Sequence, residues 1–219
     1  MPEGTLDQQT RTATIHRAHE HYSAGRYAEA VADYDFLIRN GFDHPEVFTN
    51  RAISKQLSGD HSGAIADCNR ALAERPSYAD ALYTRAVSHK QLRDYDSAIP
   101  DLDAVLRLAP EYVDAYYTRA FILGDTGEWE RSISDWSSYI AAHPADWRGR
   151  HFRALSYCQL GKLEEALADY TAAIEANPQQ VNLWLRRSEI YRRLGQHELA
   201  ERDFSHGRTL IPPDNGAPG

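Results

Sequence analysis

The chain has 219 residues, 42% of them hydrophobic and 26% charged, a balance that is globular rather than disordered. Its net charge of −8 excludes general nucleic-acid binding, which needs a basic surface. No apolar run approaches the ~18 residues that span a bilayer.

After a polar lead, MPEGTLDQQT, the sequence repeats itself every 34 residues without insertion or deletion. The segments AGRYAEAVADYDFLIRNGF, SGDHSGAIADCNRALAERP, LRDYDSAIPDLDAVLRLAP, TGEWERSISDWSSYIAAHP, LGKLEEALADYTAAIEANP and LGQHELAERDFSHGRTLIP occupy equivalent places. Six units follow, at 11–44, 45–78, 79–112, 113–146, 147–180 and 181–214. Residues 1–10 are expected to be a disordered lead, 11–214 a single domain and 215–219 a flexible tail. The N-terminus lacks the basic start and apolar core of a secretory signal. Cys68 and Cys158 hold different repeat positions, so neither a disulfide framework nor a metal knuckle is suggested, and a reducing cytoplasm is the expected compartment.

Within each unit, position 8 is Ala18, Ala52, Ala86, Ala120, Ala154 and Ser188, and position 20 is Ala30, Ala64, Ala98, Ser132, Ala166 and Ala200. Small residues at both places let two helices approach closely, the first over about positions 2–14 and the second over 17–30. Position 24 plugs the gap with Tyr34, Cys68, Leu102, Trp136, Tyr170 and Phe204. Position 15 is usually glycine, suited to the left-handed residue that ends a helix. Position 32 is proline in five units and stops the second helix. Pro100 falls inside a second helix, where a local kink is expected.

These residues resemble those of the tetratricopeptide repeat (TPR) family, over about nine-tenths of the chain. The pattern departs from the family in having Ala at position 8 for its Gly and Arg at position 7 for its Leu. The resemblance implies an all-α fold, a right-handed α-solenoid of six helix-turn-helix repeats whose first helices line a concave groove for peptides or proteins. Faces that the next repeat would cover turn polar in the last unit, with Glu201 and Arg208 where others have Val, Ile or Leu. A terminal repeat needs such a face, so the array is expected to be complete and self-capped.

Two polar patterns remain. Position 7 is Arg in all six units (Arg17, Arg51, Arg85, Arg119, Arg153, Arg187) and position 23 is Asp in all six (Asp33, Asp67, Asp101, Asp135, Asp169, Asp203). A repeat spreads these carboxylates along the array instead of converging them on one point, so they read as a scaffold of Arg–Asp pairs. His16, His19 and His21 cluster on the first helix, but no third ligand with metal spacing lies nearby. No GxSxG, HExxH, P-loop or GxGxxG occurs, so no catalytic, cofactor or metal residue is assigned.

By the resemblance, positions 2, 5, 9, 12 and 13, with 6 at the edge, face the groove. The candidate peptide-binding residues are Tyr83, Val87, Tyr117, Phe121, His151, Phe152 and Leu155, with Arg148, Arg186, Arg192 and Arg193 at groove positions further on. Aromatic groups are typical anchors, and the arginines suit an acidic segment or a C-terminal carboxylate. Tyr117→Ala or Phe121→Ala is expected to weaken a partner with little loss of stability. The carboxylate clamp of chaperone-binding members is not expected: of Ile15, His19, Asn50, Asp80 and Thr84 only Asn50 fits, and Asp80 has the wrong sign. The function expected is a non-catalytic adaptor, monomeric in preference to homo-oligomeric, binding protein and neither nucleic acid nor membrane. The alternative is a self-assembling homo-oligomer, with a metal-dependent enzyme at the N-terminal histidines behind both.

Overall fold

The computed structural model describes residues 6–211. Within them the chain is all α-helix, in six antiparallel pairs: α1 (Gln8–Ser23) with α2 (Tyr27–Arg39), α3 (Pro45–Leu57) with α4 (His61–Glu74), α5 (Ala79–Gln91) with α6 (Tyr95–Leu108), α7 (Val113–Thr126) with α8 (Trp129–Ala142), α9 (Trp147–Gln159) with α10 (Leu163–Ala176), and α11 (Val181–Arg193) with α12 (His197–Thr209). The chain divides into two compact units, Met1–Ala115 and Tyr116–Gly219. Among the described residues no helix is long and apolar enough to cross a membrane.

The pairs close as the sequence demands. Every position-8 and position-20 side chain is fully buried, the two serines included. Those serines need partners there, because a buried hydroxyl without one costs ~1–3 kcal/mol. Ser132 Oγ donates to Ala120 O and Ser188 Oγ to Ala200 O, each across its helix pair at 2.8 Å. The position-24 plugs Tyr34, Trp136 and Tyr170 are at most 2% exposed. In the first unit Tyr34 packs with Leu37 and Val47; in the second, Tyr170 packs with Ile174, Leu183 and Ile190.

Helix ends follow local chemistry. Asp60 and Asp94 accept from the backbone N–H three residues on, at 2.9 and 3.2 Å, and satisfy donors that the helix leaves orphaned. Asp7 does the same for Thr10, at 2.9 Å. That cap starts α1 at Gln8, inside the stretch expected to be disordered; residues 1–5 of that lead and the whole 215–219 tail lie outside the described residues. The position-15 glycines have φ between 71° and 89°, and Arg93, the non-glycine at this position, is held at φ 59°. α6 runs through Pro100 as one helix.

Candidate functional site

The Arg–Asp pairs form in every repeat. Each position-7 guanidinium meets the position-23 carboxylate of its own repeat, and Arg51, Arg85, Arg119, Arg153 and Arg187 do so with two nitrogens on two oxygens, at 2.5–3.0 Å. The carboxylates are 3–7% exposed as whole residues. Beyond the expected pair, the remaining nitrogen reaches the second helix of the preceding repeat. Arg51 bonds Asp35, Arg85 bonds Asn69, Arg153 bonds Ser137 and Arg187 bonds Thr171, at 2.5–3.2 Å. One side chain therefore closes its own hairpin and fastens it to its neighbour. These groups are spent on the scaffold.

The candidate binding residues of the second unit come together around the buried Trp136. The Tyr117 ring meets Trp136 edge-on at 5.1 Å and Tyr139 at 5.2 Å; Phe152 stacks on Trp136 at 5.2 Å; Phe121 meets Phe152 at 5.6 Å. Tyr117, Phe121 and Phe152 are half-buried, so one side of each ring closes the core while the other remains at the surface. Phe121, Phe152 and Leu155 line an open pocket of about 250 Å³ between α7, α8 and α9. Its other walls are Trp129 and Trp136, its base includes Ser132 and Ser156, and Asp125 and Gln159 lie at its margin. The sequence pattern did not mark this pocket. The available signal was position 12, where Gly124 stands against Tyr22, Gln56, Lys90, Cys158 and Arg192. In the first unit, Tyr83 packs on Tyr112 at 4.9 Å and Val87 is half-buried.

The arginines divide. Arg148 is tied to Asp146, Nη2 to Oδ2 at 2.8 Å and Nε to Oδ1 at 2.9 Å, and Tyr139 donates to the same carboxylate at 2.6 Å. Burial would raise the Asp146 pKa, but these bonds win and hold it at about 2. Arg192 lies 3.4 Å from Glu189 and 3.5 Å from Glu201, with its guanidinium over the Phe204 ring. Arg186 and Arg193 are exposed and have no carboxylate partner among the described residues. His151 packs against Trp147, Phe152 and Tyr170. Burial, then the charge of Arg186, pushes its imidazole down to about 4. It is neutral at pH 7.

At the N-terminus His16 and His19 are exposed, and His21 Nδ1 lies 3.0 Å from Asp33 Oδ2, beside the first Arg–Asp pair. Among the described residues no three His, Cys, Asp or Glu side chains are grouped to hold a metal ion.

Tandem antiparallel helix pairs, sealed by small residues and clamped by a recurring arginine, define a helical-repeat protein. Family comparison agrees: tetratricopeptide repeat models match residues 16–79 and 79–112, and a TPR repeat model matches 154–195. The chain belongs to the tetratricopeptide repeat family. No curated protein matches it. Among solved structures it resembles MamA (residues 41 to the end) from Desulfovibrio magneticus RS-1, with 20% identity over 78% of this chain and 97% of that one and a TM-score of 0.74. It also resembles YrrB, described as a TPR protein with an unusual peptide-binding site, with 18% identity, 83% and 93% coverage and a TM-score of 0.75. The C-terminal part of a TPR repeat-containing protein from Cytophaga hutchinsonii matches with 14% identity, 91% and 80% coverage and a TM-score of 0.80. At these identities the likeness establishes the fold.

Proposed function

We propose that this protein is a non-catalytic, cytoplasmic adaptor that holds a segment of another protein against its first helices. The observation that carries this reading is the half-buried ledge of Tyr117, Phe121, Phe152 and Leu155 beside an open pocket. Aromatic side chains fixed on one side by packing offer large contact area at low entropic cost, the property of binding anchors. Arg186 and Arg193 supply positive charge for an acidic residue of the same segment, whereas Arg148 and Arg192 are already neutralised. The free thiols Cys68 and Cys158, the first of them buried, suit a reducing compartment.

Site-specific photocrosslinking in cells tests the proposal. A benzophenone amino acid at Gln159, exposed at the pocket margin, is expected to trap a distinct protein, and the same group at Ala168, exposed on α10, is not. No adduct at Gln159, or equal adducts at both positions, sinks the adaptor. An adduct with a second copy of this chain, together with a mass above the 24.8 kDa monomer by light scattering, replaces it with self-assembly.

A further inference from the structure

The pocket beside Gly124 has an internal counterpart that is already filled. At position 12 of the second repeat stands Gln56, whose amide Nε2 donates to Thr84 O and to Ser88 Oγ, both at 2.9 Å. Two repeats later the same three positions are Gly124, Phe152 and Ser156. The acceptors persist: Ser156 Oγ bonds Phe152 O at 3.3 Å, as Ser88 Oγ bonds Thr84 O at 2.9 Å. The side chain that would donate to them is gone, and an open pocket lies there instead. Packing does not impose the glycine. A Cβ at Gly124 would lie 3.6 Å from Ser132 Oγ and 3.9 Å from Trp129, ordinary contact distances.

The lining decides the chemistry of the occupant. Ser132 Oγ gives its proton to Ala120 O, and Ser156 Oγ gives its own to Phe152 O or to Ser132 Oγ, 3.2 Å away. What the base offers an incoming group is therefore acceptor lone pairs, so the occupant must bring a hydrogen-bond donor. Its walls include Phe121, Trp129, Trp136 and Phe152, its margin holds the Asp125 carboxylate, and among the described residues no basic side chain lines it. Aromatic walls favour a cation over a neutral amide, on a protein whose net charge is −8.

We infer that this pocket takes the side chain of a lysine or arginine carried by the bound segment, entering where Gln56 lies two repeats earlier. The inference rests on the adaptor reading and names the residue class that the pocket selects.

The test uses short Ser/Ala peptides with one central guest, Lys, Arg, Leu or Glu, titrated into the full chain while the indole N–H resonances of Trp129 and Trp136 are followed. The Lys and Arg guests are expected to shift these resonances and to bind about fivefold or more tightly than the Leu and Glu guests. Gly124→Gln restores the side chain that fills the equivalent space, and is expected to abolish those shifts without lowering the melting temperature. A Leu or Glu guest that binds as well as Lys overturns the inference. So does a Lys response that survives Gly124→Gln, or the absence of any shift at millimolar peptide. A partner trapped at Gln159 whose binding is indifferent to Gly124→Gln overturns the inference and leaves the adaptor standing. Lys-guest binding lost in Gly124→Gln, with no adduct at Gln159, supports the pocket chemistry and sinks the adaptor.

Discussion

Arg153 Nη1 donates to Ser137 Oγ at 2.8 Å, joining the first helix of one repeat to the second helix of the repeat before it. The same guanidinium holds Asp169 of its own repeat through Nε and Nη2, at 2.8 and 2.7 Å. At Arg51, Arg85, Arg153 and Arg187 the fold and its stability thus share one side chain. Function has to be sought among groups that this clamp does not use.

Arg153→Met leaves Asp169, 6% exposed, without its partner. Removing one member of a buried pair strands a charge and is expected to cost roughly 3 kcal/mol in urea denaturation. Arg153→Met with Asp169→Leu should recover most of that loss, because no charge is then stranded. Arg17→Met is the contrast: the Arg17 side chain is 55% exposed, solvent screens the pair, and the expected loss is about 1 kcal/mol or less. Equal losses at the two sites would contradict the clamp.

Arg93 occupies a left-handed position that glycine fills in the other five repeats. A side chain there is strained by about 1 kcal/mol, so Arg93→Gly is expected to stabilise the chain by an amount of that order. Pro100 removes a backbone donor in the interior of α6, and it is exposed. Pro100→Ala is expected to add about 1–3 kcal/mol. Both follow from denaturation midpoints, and a destabilised variant at either position would show that the native residue is doing something else.

The 34-residue period carried the helix pairs, their small contact residues and the Arg–Asp partners, because each places the same residue type at the same position. It did not carry the third contact of the arginines. Asp35, Asn69, Ser137 and Thr171 share only an oxygen that accepts a hydrogen bond, and residue identity hides that equivalence. Nor did it show the pocket, which depends on a side chain that Gly124 lacks. The start of α1 escaped too, since Asp7 and Gln8 precede the first repeat and a single cap decides it.

The aromatic patch does not belong to the surface alone, as Tyr117 shows. Its ring packs edge-on against Trp136, which is 1% exposed, and also against Tyr139. Tyr117→Ala is therefore expected to lose about 2 kcal/mol of stability as well as contact surface, contrary to the small loss that the sequence suggested. Tyr117→Phe keeps the ring and should stay within about 0.5 kcal/mol of wild type by denaturation. Only a variant of the second kind can separate binding from folding.

His151 gives the protein a pH dependence whose sign is fixed by burial. Its imidazole titrates near 4 in the folded chain because burial, then Arg186, disfavours the charged form. In the unfolded chain it titrates near 6.5, the ordinary value. Above that pH both states are neutral and the group has no effect. Between 6.5 and 4 the unfolded chain takes up a proton that the folded chain refuses, so stability falls as the pH falls, by up to about 3 kcal/mol. His151→Phe should remove this part of the slope, and Arg186→Gln should shrink it by letting the folded pKa rise. Urea denaturation of wild type and both variants from pH 7.5 to 4 reads the difference directly, with the other nine histidines common to all three chains. A His151→Phe profile parallel to wild type would mean that the imidazole takes up its proton as readily in the folded chain as in the unfolded one.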